Sequence, residues 1–314
     1  MLNQGDTIGI IALSGDCERK KVEQAKTNIE ALGFKVKLSK NIFDKNRYLA
    51  GSDEDKISEL YKFFEDNEIK LVLCARGGYG AIRLINKIDY ELIKSNPKPF
   101  CGFSDVTALL LMIYKRTGMV TYHSPMACSD FAVGVNTDNI QSFLYTKNTS
   151  EIPHPCNLPQ GVGELTTLQT FFSAINNEPL RYEGAKIYRE GIAEGILWGG
   201  NLATVVSLCG QDFIPNEDFI FFAEDLNEPV YKIDRMFQQL INISEFKKYC
   251  KGIVLGDFLS VDNEEWLEEY FKDLSTELQI PVTGGFKITH LSEKITLPIG
   301  KIAKIVGKYL EVCS

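Results

Sequence analysis

The chain has 314 residues, 44% of them hydrophobic and 24% charged, with a formal net charge of −8. That length exceeds what one ordinary core supports, so two domains are expected, and the balance excludes a disordered or fibrous protein. The acidic excess argues against nucleic acid or an anionic membrane surface as partner, and no apolar stretch approaches the roughly 20 residues of a membrane span.

In chain order, the first half alternates strand and helix. Thr7 to Leu13, TIGIIAL, is a continuous apolar run of the kind buried on both sheet faces. Val22, Ala25, Ile29 and Leu32 then repeat at helical spacing, and Gly33 stands where a C′ residue belongs. KVKL is a short second strand. Ser52 and the acidic residues after it suit a helix N-terminus, and Ile57, Leu60 and Phe64 give that helix one apolar face. KLVLCA, KPFCGF and MVTYHSP supply three more strands, the last ended by Pro125. This alternation predicts a doubly wound parallel α/β domain over 1–150.

The stretch around 151–165 is rich in Pro, Asn, Ser and Gly, has no period, and reads as a linker. From 166 to 314 a second, mixed and β-rich α/β domain is expected. Its strands are ILWGG, DFIFFAED, KGIVLGDF and KITLPIGKIAKIV; its helices are one starting at Pro229 as N1 and one over EEWLEEYFKDLS. The eight cysteines form no CxxC pair, which argues against a zinc site or a thioredoxin-like motif. The N-terminus has no basic region ahead of its apolar run, so a reducing cytoplasm is the expected compartment.

Ligands of open parallel sheets bind beyond the carboxyl ends of the strands. Four unusual segments fall there: ARGGYG, GFSD, YHSP and FFAEDLNEP. RGGYG, Arg76 to Gly80, lacks both dinucleotide and Walker spacing. It is either a tight strand-to-helix turn or a cradle of backbone N–H groups for an anion. Ser104 is either a helix N-cap, the commoner role for such a residue, or a nucleophile at a helix N-terminus. The turn Gly102 to Val106 lacks the last glycine of the hydrolase elbow.

A nucleophilic serine needs a base and an orienting carboxylate. Only three histidines exist: His123 after the fifth strand, His154 in the linker, and His290 between two glycine-bearing turns. Glu224 leaves the end of a buried strand; Asp225 and Glu228 are rivals. Cys74 and Cys101 are alternative nucleophiles, but both sit in apolar runs where a thiol is inert. A non-catalytic anion-binding module would need neither His290 nor Glu224.

The ordered series GDTIGIIALSG, LVLCARGGYGAIRL, PFCGFSDVTALL, MVTYHSPM, GGNLATV, FFAEDLNEPVYKIDRMF, GIVLGDF and ITLPIG resembles the LD-carboxypeptidase family of serine peptidases over nearly the whole chain. That family includes muramoyl-tetrapeptide carboxypeptidases and microcin C self-immunity peptidases. The resemblance implies a triad of Ser104 as nucleophile, Glu224 as orienting carboxylate and His290 as base, with the site between two domains. It also implies an oxyanion hole, placed at the N–H groups of Gly78 and Asp105, and neither metal nor cofactor. The chain departs from the family pattern at Thr289, where glycine usually precedes the histidine, at Lys287 and Ile288, and at Ser124.

The expected activity is release of a terminal D-amino acid from a murein tetrapeptide; the alternative substrate is an aminoacyl-nucleotide conjugate. Arg76 or Arg235 is expected to bind the substrate carboxylate, and Tyr79, His123, Trp198 and Asn201 to line the pocket. A homodimer is the expected assembly.

Overall fold

The computed structural model describes residues 1–132 and 167–313. The expected linker, the domain boundaries at 150 and 166, and His154 lie outside the described residues.

The first sheet contains β1 (Thr7–Ile11), β2 (Lys35–Leu38), β3 (Ile69–Cys74), β4 (Phe100–Gly102) and β5 (Thr121–His123). These five run parallel, with helices Arg19–Ala31, Asp53–Glu65 and Thr107–Thr117 between them. The reason is legible in the residues. Ile8, Ile10 and Ile11 of β1 and Leu71, Val72 and Leu73 of β3 are all buried, as a sheet covered on both faces requires. Each such side chain contributes about 1.5–3 kcal/mol by leaving water. Ser52 caps its helix by accepting from Asp55 N–H, and Gly33 takes φ 89° after the first helix, both as the sequence indicates.

The second sheet is mixed. It comprises β6 (Leu180–Glu183), β7 (Lys186–Arg189), β8 (Ile192–Asn201), β9 (Phe219–Leu226), β10 (Cys250–Leu259), β11 (Val282–Gly284), β13 (Ile302–Val306) and β14 (Tyr309–Val312). Its strand order is β6-β14-β13-β8-β9-β10-β11-β7, with β8, β9, β10 and β11 parallel at the centre. Helices Val230–Ile241 and Glu264–Leu278 match the two expected ones, although Pro229 is the N-cap and not the first helical residue.

One strand goes elsewhere. β12 (Leu297–Ile299) leaves the second half and pairs antiparallel with β5, so the first sheet reads β12-β5-β4-β3-β1-β2. Pro298 tolerates this place because β12 is the sheet's edge. The two halves also touch at Gly200. A Cβ there would lie 2.5 Å from Thr107 Cγ2, and one on Gly199 would lie 1.9 Å from the Phe222 carbonyl oxygen. The Gly-Gly pair therefore lets β8 press against its neighbour strand and against the start of helix Thr107–Thr117.

Candidate active site

Ser104 sits between β4 and that helix. The turn is tight: a Cβ on Gly102 would lie 2.8 Å from Val106 Cγ1. Phe103 is extended, and Ser104 itself takes φ 61°, the left-handed region that costs a residue with a Cβ about 1–2 kcal/mol. Ser104 is not a helix cap. Phe103 holds the cap position of the short 3-10 turn Ser104–Val106, which has no side-chain cap bond. Nor do Asp105 and Thr107 cap this helix: the Asp105 carboxylate accepts from Ala81 N–H at 2.9 Å, and Thr107 Oγ1 accepts from Asn201 N–H at 3.3 Å.

Glu224, near the end of β9, is fully buried. Its Oε2 lies 2.7 Å from His290 Nδ1, and His290 Nε2 lies 3.2 Å from Ser104 Oγ. A carboxylate only accepts, so Nδ1 carries the proton and Nε2 is left to accept from the serine hydroxyl. The loop that delivers His290 is held closely. Ile288 accepts from Asp257 N–H at 2.9 Å, and a Cβ on Gly256 would lie 2.3 Å from that same carbonyl oxygen. On the far side, Leu297 is paired with His123. The rival carboxylates are engaged elsewhere. Asp225 accepts from Asn201 Nδ2 and from the N–H groups of Ala203 and Leu226, while burial pushes its pKa up to about 6; Glu228 pairs with Lys232 at 3.2 Å.

Ser104 and His290 open onto a cavity of about 280 Å³ whose wall includes Glu18, Lys21, Arg76, Gly77, Gly78 and Cys128. Gly77 packs closely on the serine: a Cβ there would lie 3.1 Å from Ser104 Oγ, so a larger residue would have to displace the hydroxyl by a few tenths of an ångström. Gly78 follows at φ 111°. Arg76 donates to the Asp16 carbonyl at 3.1 Å while its side chain borders the cavity. Burial raises the pKa of Asp105, although Ser14 and the N–H groups of Ala81 and Gly80 bond it. Its carboxylate thus ties the glycine turn to the turn that carries Ser104, where the sequence pointed chiefly to its backbone N–H. The missed partner lies 24 positions upstream, beyond any local pattern.

Several expected pocket residues are elsewhere. Trp198 is fully buried among Phe213, Phe219 and Phe221, with ring centroids 5.1–5.7 Å away, and so belongs to the core. Asn201 caps the turn Leu202–Val206 through Thr204 N–H and holds Asp225. Arg235 is exposed, its guanidinium 5.7 Å from the Tyr231 ring centroid and away from the cavity wall. Tyr79 is 46% exposed and packs edge-on to Tyr48 outside that wall.

His123 is buried behind Phe103 and against Phe222, and burial lowers its pKa to about 3, so it stays neutral and does not border the cavity. Cys74 and Cys101 are fully buried, and burial pushes both thiols up, away from nucleophilic thiolate. No helix among the described residues is long and apolar enough to cross a membrane.

Comparison with known proteins agrees with this architecture. Residues 8–124 match the LD-carboxypeptidase N-terminal domain, and residues 194–305 match the LD-carboxypeptidase C-terminal domain. A probable murein peptide carboxypeptidase of Bacillus subtilis (strain 168) is 35% identical over 306 residues, covering 95% of this chain and 88% of that protein. The crystal structure of muramoyltetrapeptide carboxypeptidase from Oxalobacter formigenes superposes with TM-score 0.81 at 25% identity, over 98% of this chain and 99% of that one. An MccF-like protein from Bacillus anthracis gives TM-score 0.82 at 25% identity, over 100% and 98%. With both domain matches and a relative at 35% identity over most of its length, the chain belongs to the LD-carboxypeptidase family of serine peptidases.

Proposed function

We propose that the chain is a cytoplasmic serine carboxypeptidase that hydrolyses an L,D-peptide bond, releasing terminal D-Ala from a murein tetrapeptide. The observation that carries this reading is the hydrogen-bonded series Glu224–His290–Ser104, at 2.7 and 3.2 Å. The relatives with murein-peptide names support the substrate class.

In this mechanism His290 Nε2 takes the Ser104 proton as Oγ attacks the carbonyl carbon. Glu224 holds the Nδ1–H tautomer and stabilises the imidazolium. Gly78 and Asp105 N–H groups receive the oxyanion, each donor contributing on the order of 3 kcal/mol to the transition state. His290 then protonates the departing amine of D-Ala. Water, deprotonated by the same imidazole, then attacks the acyl carbon, and His290 returns that proton to Ser104 Oγ as the acyl–oxygen bond breaks. Arg76 and Lys21, both on the cavity wall, supply positive charge for the free carboxylate that marks a peptide's end.

The test is Ser104→Ala with D-Ala release from murein tetrapeptide as the readout. Loss of release in a folded variant is expected; undiminished release refutes the nucleophile assignment. A relative named microcin C7 self-immunity protein MccF, 27% identical over 310 residues, keeps an aminoacyl-nucleotide conjugate as a second reading. Trp198, expected to line the pocket, is buried in the core and offers no ring face to a nucleobase, which favours the murein peptide. Cleavage of an aminoacyl-sulfamoyl nucleoside in preference to tetrapeptide would reverse that order.

A further inference from the structure

Lys294 is an unusual lysine. Its side chain is only 3% exposed, and its Nζ lies 2.6 Å from Asp130 Oδ1, whose side chain is 4% exposed. Lys294 belongs to the segment between His290 and β12; Asp130 belongs to the π-helical turn Ala127–Phe131 of the first half. The same ammonium stands 4.0 Å from the centroid of the Phe103 ring. Phe103 precedes Ser104 and meets the His290 ring edge-on, with centroids 5.0 Å apart. The other oxygen of Asp130 accepts from Met126 N–H at 2.8 Å and from Ser129 Oγ at 2.6 Å, and both residues border the cavity. Lys294 N–H also donates to Thr167 Oγ1 at 3.0 Å.

One buried cation therefore joins the cavity wall, the residue before the nucleophile and the segment carrying the base. Desolvating such a pair is costly, and apolar residues of similar volume often hold two surfaces together as well or better. What the pair adds over apolar contact is direction. The ammonium must meet one carboxylate and one ring face at once, and this sets where its segment lies.

We propose that Lys294 is a positioning residue. Paired with Asp130 and seated on Phe103, it keeps His290 Nε2 within reach of Ser104 Oγ. This rests on reading Ser104 and His290 as nucleophile and base. Lys294 touches no reacting atom; it acts through Phe103 and its own segment.

The test compares the full-length wild type with Lys294→Met and with the double variant Lys294→Met/Asp130→Leu. Two readouts are taken besides urea unfolding. One is the rate of Ser104 labelling by a fluorophosphonate, resolved into kinact and KI. The other is the downfield proton resonance of the His290 Nδ1–H bonded to Glu224. Lys294→Met leaves Asp130 buried and unpaired, so both stability and labelling fall. The double variant recovers stability, yet its kinact stays lower by about tenfold or more, the scale of a sub-ångström misplacement, with KI unchanged. Its Nδ1–H resonance shifts or broadens.

A stable double variant with wild-type kinact and an unmoved resonance overturns the proposal. A wild type that is not labelled at Ser104, but whose resonance still depends on Lys294, overturns the nucleophile reading and leaves the positioning role standing. Should the double variant fail to fold, Asp130→Asn carries the same comparison: lower kinact at constant KI supports the role, and unchanged kinact refutes it.

Discussion

Replacing Ser104 with alanine and with glycine separates its chemistry from its backbone. Both variants lose the hydroxyl and its 3.2 Å contact with His290, so both are expected to be inactive. They differ in a single methyl group. Alanine keeps a Cβ at φ 61° and so keeps the strain of about 1–2 kcal/mol that the left-handed region imposes. Glycine relieves that strain but loses about 0.5–1 kcal/mol more chain entropy on folding. The difference favours Ser104→Gly by about 0.5–1 kcal/mol, or a melting temperature higher by about 1–1.5 °C in a chain of this size. Neither change opens a void in the core, because Ser104 faces the cavity. Equilibrium urea unfolding of the two variants, side by side, measures the gap. At an ordinary helical position the order is reversed, with alanine better by about 1 kcal/mol. Finding that ordinary order here would refute the strained turn.

Two further outcomes follow from the site. Glu224→Gln should lower turnover about 10³–10⁴-fold, because an amide no longer enforces the Nδ1–H tautomer, while Glu228→Gln leaves turnover essentially unchanged. Parallel D-Ala release assays decide this, and a larger loss at Glu228 would move the orienting role there. His123, with its pKa lowered from 6.5 to about 3, makes stability pH-dependent. As pH falls below 6.5 the unfolded chain takes up a proton that the folded His123 refuses, so this contribution is lost toward acid. The unfolding free-energy gap between wild type and His123→Gln should shrink by about 1.4 kcal/mol from about pH 7.5 to about pH 5.5. A gap that does not move with pH would contradict a buried neutral imidazole.

The parallel core was legible because its strands are unbroken apolar runs and its helices carry one apolar stripe. The ends of those strands also point to Ser104, His123 and Glu224 from the sequence alone. The parts that escaped depend on partners distant in sequence. β12 is three residues with a proline at its centre, and nothing local says it pairs with β5 and not with a neighbour in its own half. Trp198-Gly199-Gly200 looked like a pocket rim, but the glycines serve close backbone approach to Phe222 and Thr107, and the indole faces the core. The charge of Arg235 carries no information about which face of its helix meets the cavity, and the side chain lies outside the cavity wall. Asp105 and Lys294 take roles set by residues far along the chain, so an acidic residue after a turn and a lysine in a polar loop looked ordinary.

β12 also has a consequence for how the molecule comes into being. The first five strands can be made early, yet their sheet keeps an open edge at β5 until residues 297–299 have been synthesised and have crossed over. His290 lies just ahead of that strand, and its contact with Ser104 spans 186 positions. Contacts of such long range form late, after the loop-closure entropy has been overcome. A nascent or truncated chain that stops short of this strand presents a serine turn with no imidazole beside it and a bare strand edge open to other chains. The meeting of His290 with Ser104 and the protection of the sheet edge therefore arrive in one event, and an unfinished chain is exposed to aggregation before the two side chains meet.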